Sequence, residues 1–124
     1  MEQLTVMVAE DYDDTRLMMR VILEQRGFRV VEASNGLEAV GVAMRERPDL
    51  ILMDMDMPVL DGCAATRRIR QEEELRKVPI VAFSAHLRDE WQARATSAGF
   101  TDYVGKPVDL DHLKGVLGRY LAGP

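Results

Sequence analysis

Three short stretches of the chain are apolar at almost every position: Thr5-Val6-Met7-Val8-Ala9, Leu50-Ile51-Leu52-Met53 and Ile80-Val81-Ala82-Phe83. A strand with one wet face alternates polar and apolar residues. A strand that is apolar throughout is covered on both faces, which indicates a parallel sheet held between two layers of helices. Two weaker runs complete the set. Arg29-Val30-Val31-Glu32-Ala33 carries two charges and suits a sheet edge, and Asp102-Tyr103-Val104 is a short fifth strand.

Helical spacing fills the intervals. Met18, Met19, Ile22 and Leu23 mark a first helix, capped by Asp13 and stopped by Gly27. Asn35-Gly36 turns into a second, carrying Leu37, Val40, Ala43 and Met44 and ended by Pro48. Asp61 caps a third, with Ala65 and Ile69 inward and an exposed polar end from Gln71 to Lys77. A fourth, with Trp91, Ala95 and Ala98, ends at Gly99, and the last runs from about Asp109 with Leu110, Leu113, Leu117 and Leu121 on one face. Five β-α units with right-handed crossovers give a doubly wound α/β fold of flavodoxin-like type. Its parallel five-stranded sheet has the order 2-1-3-4-5, and its ligand crevice lies beyond the carboxyl ends of the strands. Residues 1–124 read as one domain with one core.

The balance of 16 basic and 21 acidic residues leaves a net charge of -5 and no basic patch for nucleic acid. Arg67, Arg68 and Arg70 read as a solvated helix face. No apolar run approaches the ~20 residues that span a membrane, no signal peptide is visible, and a single cysteine, Cys63, rules out an intrachain disulfide. A cytoplasmic setting is expected.

Polar groups end the apolar runs. Glu10 and Asp11 follow the first strand, Asp54 the third, Ser84 the fourth, and Lys106 lies just past the fifth. With strands one and three adjacent, three carboxylates converge. Each pair about 4 Å apart repels by roughly 4 kcal/mol at an effective dielectric near 20, so the cluster calls for a cation. Oxygen donors with room for water suit Mg2+ or Mn2+. A carboxylate beside such an ion can be a nucleophile toward phosphorus, with Lys106 and Ser84 supplying a counter-charge and a hydroxyl.

Glu10-Asp11, Asp54 within Asp-Met-Asp-Met-Pro, Asp61-Gly62, Ser84-Ala85 and Lys106-Pro107, in this order and at these intervals, resemble the response-regulator receiver domain of two-component signalling. The resemblance covers residues 3 to 122. It implies that Asp54 is the phosphoacceptor. Asp11 and Asp54 would ligate Mg2+ with the backbone carbonyl of Asp56, and Glu10 would act through a metal-bound water. Ser84 and Lys106 would each meet a phosphoryl oxygen, and Pro107 would follow a cis peptide bond. Ser84 and Tyr103 would form a switch that remodels the face made by the fourth helix, fifth strand and fifth helix. Asp56 and His86 would influence how long the phosphate lasts. The phosphodonor would be a histidine kinase or a histidine phosphotransfer protein. The output would be a partner or a homodimer through the switch face, with no direct nucleic acid or membrane contact. Such a domain is a signalling module, with autophosphorylation from small donors and autodephosphorylation as its only chemistry.

Two other readings compete. A phosphatase of the haloacid dehalogenase class uses an Asp-x-Asp pair, as Asp54 and Asp56 would be, but places it after its first strand in a longer chain. A receiver that only scaffolds is disfavoured by the complete acidic set. Elsewhere, Cys63 reads as an inert, partly buried residue, His112 as exposed, the methionines as core filling, and Trp91 as either a partner contact or half-buried packing.

Overall fold

A computed structural model describes residues 3–85 and 89–121, and side chains outside 89–91. The elements run β1 (Thr5–Ala9), α1 (Asp13–Gln25), β2 (Arg29–Ala33), α2 (Gly36–Glu46), β3 (Leu50–Asp54), α3 (Gly62–Gln71), a short 3-10 helix (Glu73–Leu75), β4 (Ile80–Ser84), α4 (Asp89–Ala98), β5 (Asp102–Gly105) and α5 (Leu110–Tyr120). The sheet is parallel throughout, in the order β2-β1-β3-β4-β5. This is the doubly wound arrangement expected from the apolar runs.

Side chains alternate across the pleat, so each central strand feeds two cores. Met7, Ile51, Met53, Ile80 and Ala82 face Ala39 and Ala43 of α2, Ala65 and Ile69 of α3, and Ala95 of α4. Val6, Val8, Leu50, Leu52, Val81 and Phe83 face Met19 and Leu23 of α1 and Leu113, Val116 and Leu117 of α5. The helices facing the first layer are alanine-rich, which lets three of them pack on one side.

Several expectations need correction. Asp13 does not cap α1. The helix begins at Asp13 with Tyr12 in the cap position and no side-chain cap, and Asp13 instead accepts from Arg16 at 2.6 Å within the first turn. Asp61 does cap α3, accepting from the Ala64 N–H at 2.8 Å. Met18, Leu37, Met44 and Leu110 are exposed rather than inward. Met19 and Leu23, one turn apart, occupy the stripe facing the sheet, and Met18, about 100° around from Met19, falls outside it. Leu75 is buried within the otherwise exposed segment that follows α3. His86 and the side chain of Trp91 lie outside the described residues.

Arg70 is the largest correction. Arg67 and Arg68 are exposed, but Arg70 turns inward. Its guanidinium donates to the carbonyls of Gly99 (2.9 Å), Leu75 (2.8 Å), Arg76 (3.2 Å) and Val78 (2.7 Å), and to Thr101 Oγ1 (3.2 Å). These acceptors belong to the segment after α3, the approach to β4 and the turn between α4 and β5. Gly99, at φ +109°, makes that last turn, and a Cβ there would lie 2.9 Å from Arg70 Cγ. Burial lowers the Arg70 pKa below the ordinary arginine value. Replacing Arg70 by methionine leaves three partly buried carbonyls, those of Gly99, Leu75 and Val78, without this donor and is expected to cost about 2–4 kcal/mol in urea unfolding. Lysine should not recover it, because an ammonium lacks the planar fork that reaches several acceptors at once. A cost below about 1 kcal/mol would contradict this role.

Candidate functional site at the carboxyl edge of the sheet

Asp54 is the last residue of β3, paired in register with Phe83, and is 2% exposed. Its Oδ1 accepts from the backbone N–H of Asp56 at 3.0 Å. Its Oδ2 accepts from Lys106 Nζ at 3.0 Å. Glu10, one residue past β1 and 1% exposed, is held as firmly. Its N–H donates to the Ala33 carbonyl at 3.0 Å, its Oε2 accepts from the Tyr12 N–H at 3.0 Å, and its Oε1 accepts from Lys106 Nζ at 2.7 Å. Asp11 is exposed at the mouth. One oxygen each from Glu10, Asp11 and Asp54 lie within 4.8 Å of one another.

Lys106 reaches this cluster from beyond β5. Its N–H donates to the Ser84 carbonyl at 2.9 Å, and its peptide bond to Pro107 is cis. Its ammonium also lies 4.9 Å from the centroid of the Phe83 ring, a cation–π contact that nothing in the sequence pattern announces. Ser84 ends β4, 1% exposed, in register with Gly105. Tyr103 is 36% exposed and lines a cavity of about 140 Å³ with Gln92, Thr96, Phe100 and Asp102. Asp56 is exposed beside the cluster. Val59, in the loop from β3 to α3, has φ +70° and is 76% exposed, a rare backbone state for a β-branched residue.

Two buried carboxylates share one ammonium, and their pKa values part accordingly. Burial, with Glu10 alongside, pushes the Asp54 carboxyl up to about 7. Burial also raises Glu10, but the hydrogen bonds from Lys106 and the Tyr12 N–H outweigh it and hold that carboxyl below its usual range. Burial works against the Lys106 ammonium, and the hydrogen bonds to Glu10 and Asp54 overcome it and raise its pKa. Cys63, buried in α3, has its thiol pushed up by burial, in keeping with an inert residue.

The donor set of the cluster is carboxylate oxygen, without thiolate or imidazole, and its formal charge exceeds what one lysine neutralises. Those are the properties of a site for a hard divalent cation. The sequence pattern brings Glu10, Asp11, Asp54, Ser84 and Lys106 to one edge, and the structure places all five there. It misses the Tyr12 N–H and the Phe83 ring, which act through backbone geometry and a second use of a core residue. No helix among the described residues is long and apolar enough to cross a membrane.

Known proteins agree with this arrangement. The sequence model of the response regulator receiver domain matches residues 6–117. The polar-differentiation response regulator DivK of Brucella anthropi is 32% identical over 94% of this chain and 95% of its own length. The receiver domain of a sensor histidine kinase from Pseudomonas aeruginosa, solved with a magnesium ion coordinated in its active site cleft, is 35% identical. It superposes with a TM-score of 0.90 over 98% of this chain and 100% of its own. The receiver domain of the Saccharomyces cerevisiae regulator Ssk1, solved with the histidine phosphotransfer protein Ypd1, is 28% identical, with a TM-score of 0.89 over 95% of this chain and 88% of the other. Fold, site and sequence therefore converge, and the chain belongs to the response regulator receiver domain family of two-component signalling.

Proposed function

We propose that this chain accepts a phosphoryl group on Asp54 from a phosphohistidine of a histidine kinase or phosphotransfer protein. The observation that carries the reading is a nearly buried carboxylate at a strand end with an ammonium at 3.0 Å and two further acids beside it. An Asp54 oxygen attacks phosphorus, the phosphorus–nitrogen bond breaks, and the neutral imidazole leaves. Lys106, already at the Asp54 carboxylate, meets the charge carried in on the phosphoryl oxygens. Asp11 and Asp54, with the backbone carbonyl of Asp56, would hold Mg2+, or Mn2+ in its place, and the charge of Glu10 adds to the attraction. When bound, the cation would neutralise phosphoryl oxygens. The co-crystal of Ypd1 with a receiver domain supports a phosphotransfer protein as donor.

An acyl phosphate adds nearly two negative charges and three acceptors. Ser84 would donate to one of them, drawing the end of β4 inward. Tyr103, half exposed beside the cavity at α4 and β5, would turn toward the space this leaves. The remodelled α4–β5–α5 face would bind an output partner or a second copy. The phosphatase reading of Asp54 and Asp56 is not favoured. The pair follows the third strand, not the first, and the family is that of signalling receivers.

Incubation with acetyl phosphate and Mg2+ tests the assignment. Intact mass should show one phosphoryl adduct, labile to hydroxylamine, on the wild type and none on Asp54→Asn. An adduct that survives the substitution, or none on the wild type, would sink it. Asp56 is expected to shorten the life of that adduct, because an exposed carboxylate two residues on can accept a proton from the attacking water. Asp56→Asn should lengthen the half-life about threefold or more. An equal or shorter half-life in the decay assay rules this out.

A further inference from the structure

We propose that the outward face of α2 is a self-docking surface, occupied by a second copy of this chain packed antiparallel across a two-fold axis at Gly41. Ala39, Val40, Val42 and Ala43 turn one side of α2 toward the core. On the other side Leu37 is 52% exposed and Met44 40% exposed, with Gly41 exposed between them. At about 100° per residue, the three fall within a band about 60° wide. Their spacing of four and then three residues is that of an apolar coiled-coil seam. Nothing in the monomer calls for glycine at position 41. A Cβ there would meet nothing within 4 Å, and glycine weakens a helix interior relative to alanine. What the missing Cβ does permit is the close approach of another backbone.

Charge selects the occupant and its direction. Glu38 and Arg45 are both exposed and lie within about 20° of each other on one flank of the stripe. Glu38 accepts from the Ser34 N–H at 3.1 Å, and Arg45 touches its neighbour Glu46 at 3.3 Å, so each keeps its charge at the surface. Along the helix axis Glu38 stands about 4.5 Å before Gly41, and Arg45 about 6 Å after it. A two-fold axis through Gly41 therefore sets Glu38 against Arg45 of the second copy, and Arg45 against its Glu38. By the same rotation Leu37 meets Met44, beside a recess of about 90 Å³ that Met44 lines with Arg47 and Leu75. A parallel pair would instead set Glu38 against Glu38 and Arg45 against Arg45, and like charges repel. The sheet order sends β2 and β5 to opposite edges, and α2 packs beside β2. The α4–β5–α5 face of each copy stays open, and the antiparallel pairing turns the two Asp54 sites toward opposite ends of the dimer.

One short helix from each copy makes a contact at the small end of specific interfaces, so the dissociation constant should fall between about 10 and 500 µM. Sedimentation equilibrium of the unphosphorylated chain, up to about 1 mM, reads it directly. A chain that stays monomeric throughout overturns the proposal. Gly41→Ala should raise the urea midpoint, because alanine favours the helix, and weaken the dimer at least about tenfold, because two Cβ atoms collide at the axis. Glu38→Arg and Arg45→Glu should each weaken it by a similar factor, and the double variant should return to within about threefold of wild type. Glu38→Arg also loses the bond to Ser34. The double variant shares that loss, so its recovery reports the pair across the axis. Dimerisation that Gly41→Ala leaves unchanged, or a double variant no better than the single ones, overturns the proposal.

Discussion

Gly62→Ala is expected to destabilise the fold by about 3 kcal/mol or more, enough to remove much of the stability of a domain of this size. A Cβ on Gly62 would sit 2.2 Å from the Asp54 carbonyl oxygen and 2.8 Å from the Met55 Cα. Both obstacles are backbone, so no side chain can swing aside. The Gly62 N–H also donates to the Met55 carbonyl at 3.1 Å, which pins the start of α3 against the end of β3. Relief therefore requires moving the peptide that follows Asp54, and any folded fraction should label poorly there. Gly118→Ala is the natural control. Gly118 lies on the exposed side of α5, where a Cβ would meet nothing within 4 Å, and alanine there should stabilise by about 0.5–1 kcal/mol. Urea midpoints of the two variants should move in opposite directions. A Gly62→Ala protein within about 1 kcal/mol of wild type would refute the close-approach argument.

Asp54→Asn is expected to make the metal-free protein more stable at neutral pH, while abolishing its labelling. The Asp54 carboxyl titrates near 7 in the fold against an ordinary 3.8. Below pH 3.8 it is neutral in both states and contributes nothing. Between those values the unfolded chain has given up its proton and the fold still holds it, so stability falls as pH rises. Above about 7 the full cost is present. Asparagine removes it, and after relaxation of the site the gain should be about 2 kcal/mol at neutral pH in EDTA, shrinking toward pH 4. Mg2+ should narrow the gap from the other side. A ligand at 100 times its dissociation constant stabilises by about 2.7 kcal/mol, and the variant lacks one of the carboxylates that would bind it. Thermal or urea unfolding across pH, with and without Mg2+, checks both arms. A variant less stable than wild type in EDTA at neutral pH contradicts the electrostatic account.

The strands and their order are legible in the sequence because continuous apolar runs report burial on both faces, a property each run carries within itself. Glu10, Asp11, Asp54, Ser84 and Lys106 are legible because a parallel sheet sends every strand end to the same edge. Arg70 is not. Its acceptors are spread from Leu75 to Thr101, and a basic residue beside Arg67 and Arg68 carries no local sign that it turns inward. Asp13 misleads for a related reason. An acid ahead of an apolar stripe suits a cap, but the backbone enters α1 one residue earlier, and Arg16 claims the side chain. Phe83 reads as core, which it is, while its ring also bears on Lys106. Contacts between distant segments, and second uses of a core residue, leave no period in the sequence.

One strand stands apart from the chemistry. The site draws side chains from the ends of β1, β3, β4 and β5, whereas β2 reaches it at one remove, through the Ala33 carbonyl that accepts from the Glu10 N–H and through Glu32, which pairs with the Arg16 that donates to the Glu10 carbonyl. Any residue provides a carbonyl. The outward face of the β2–α2 unit, where Leu37 and Met44 are exposed, is therefore a part of this domain whose side chains can be rewritten without touching Asp54 or its neighbours, and a place for an engineer to graft a new recognition surface.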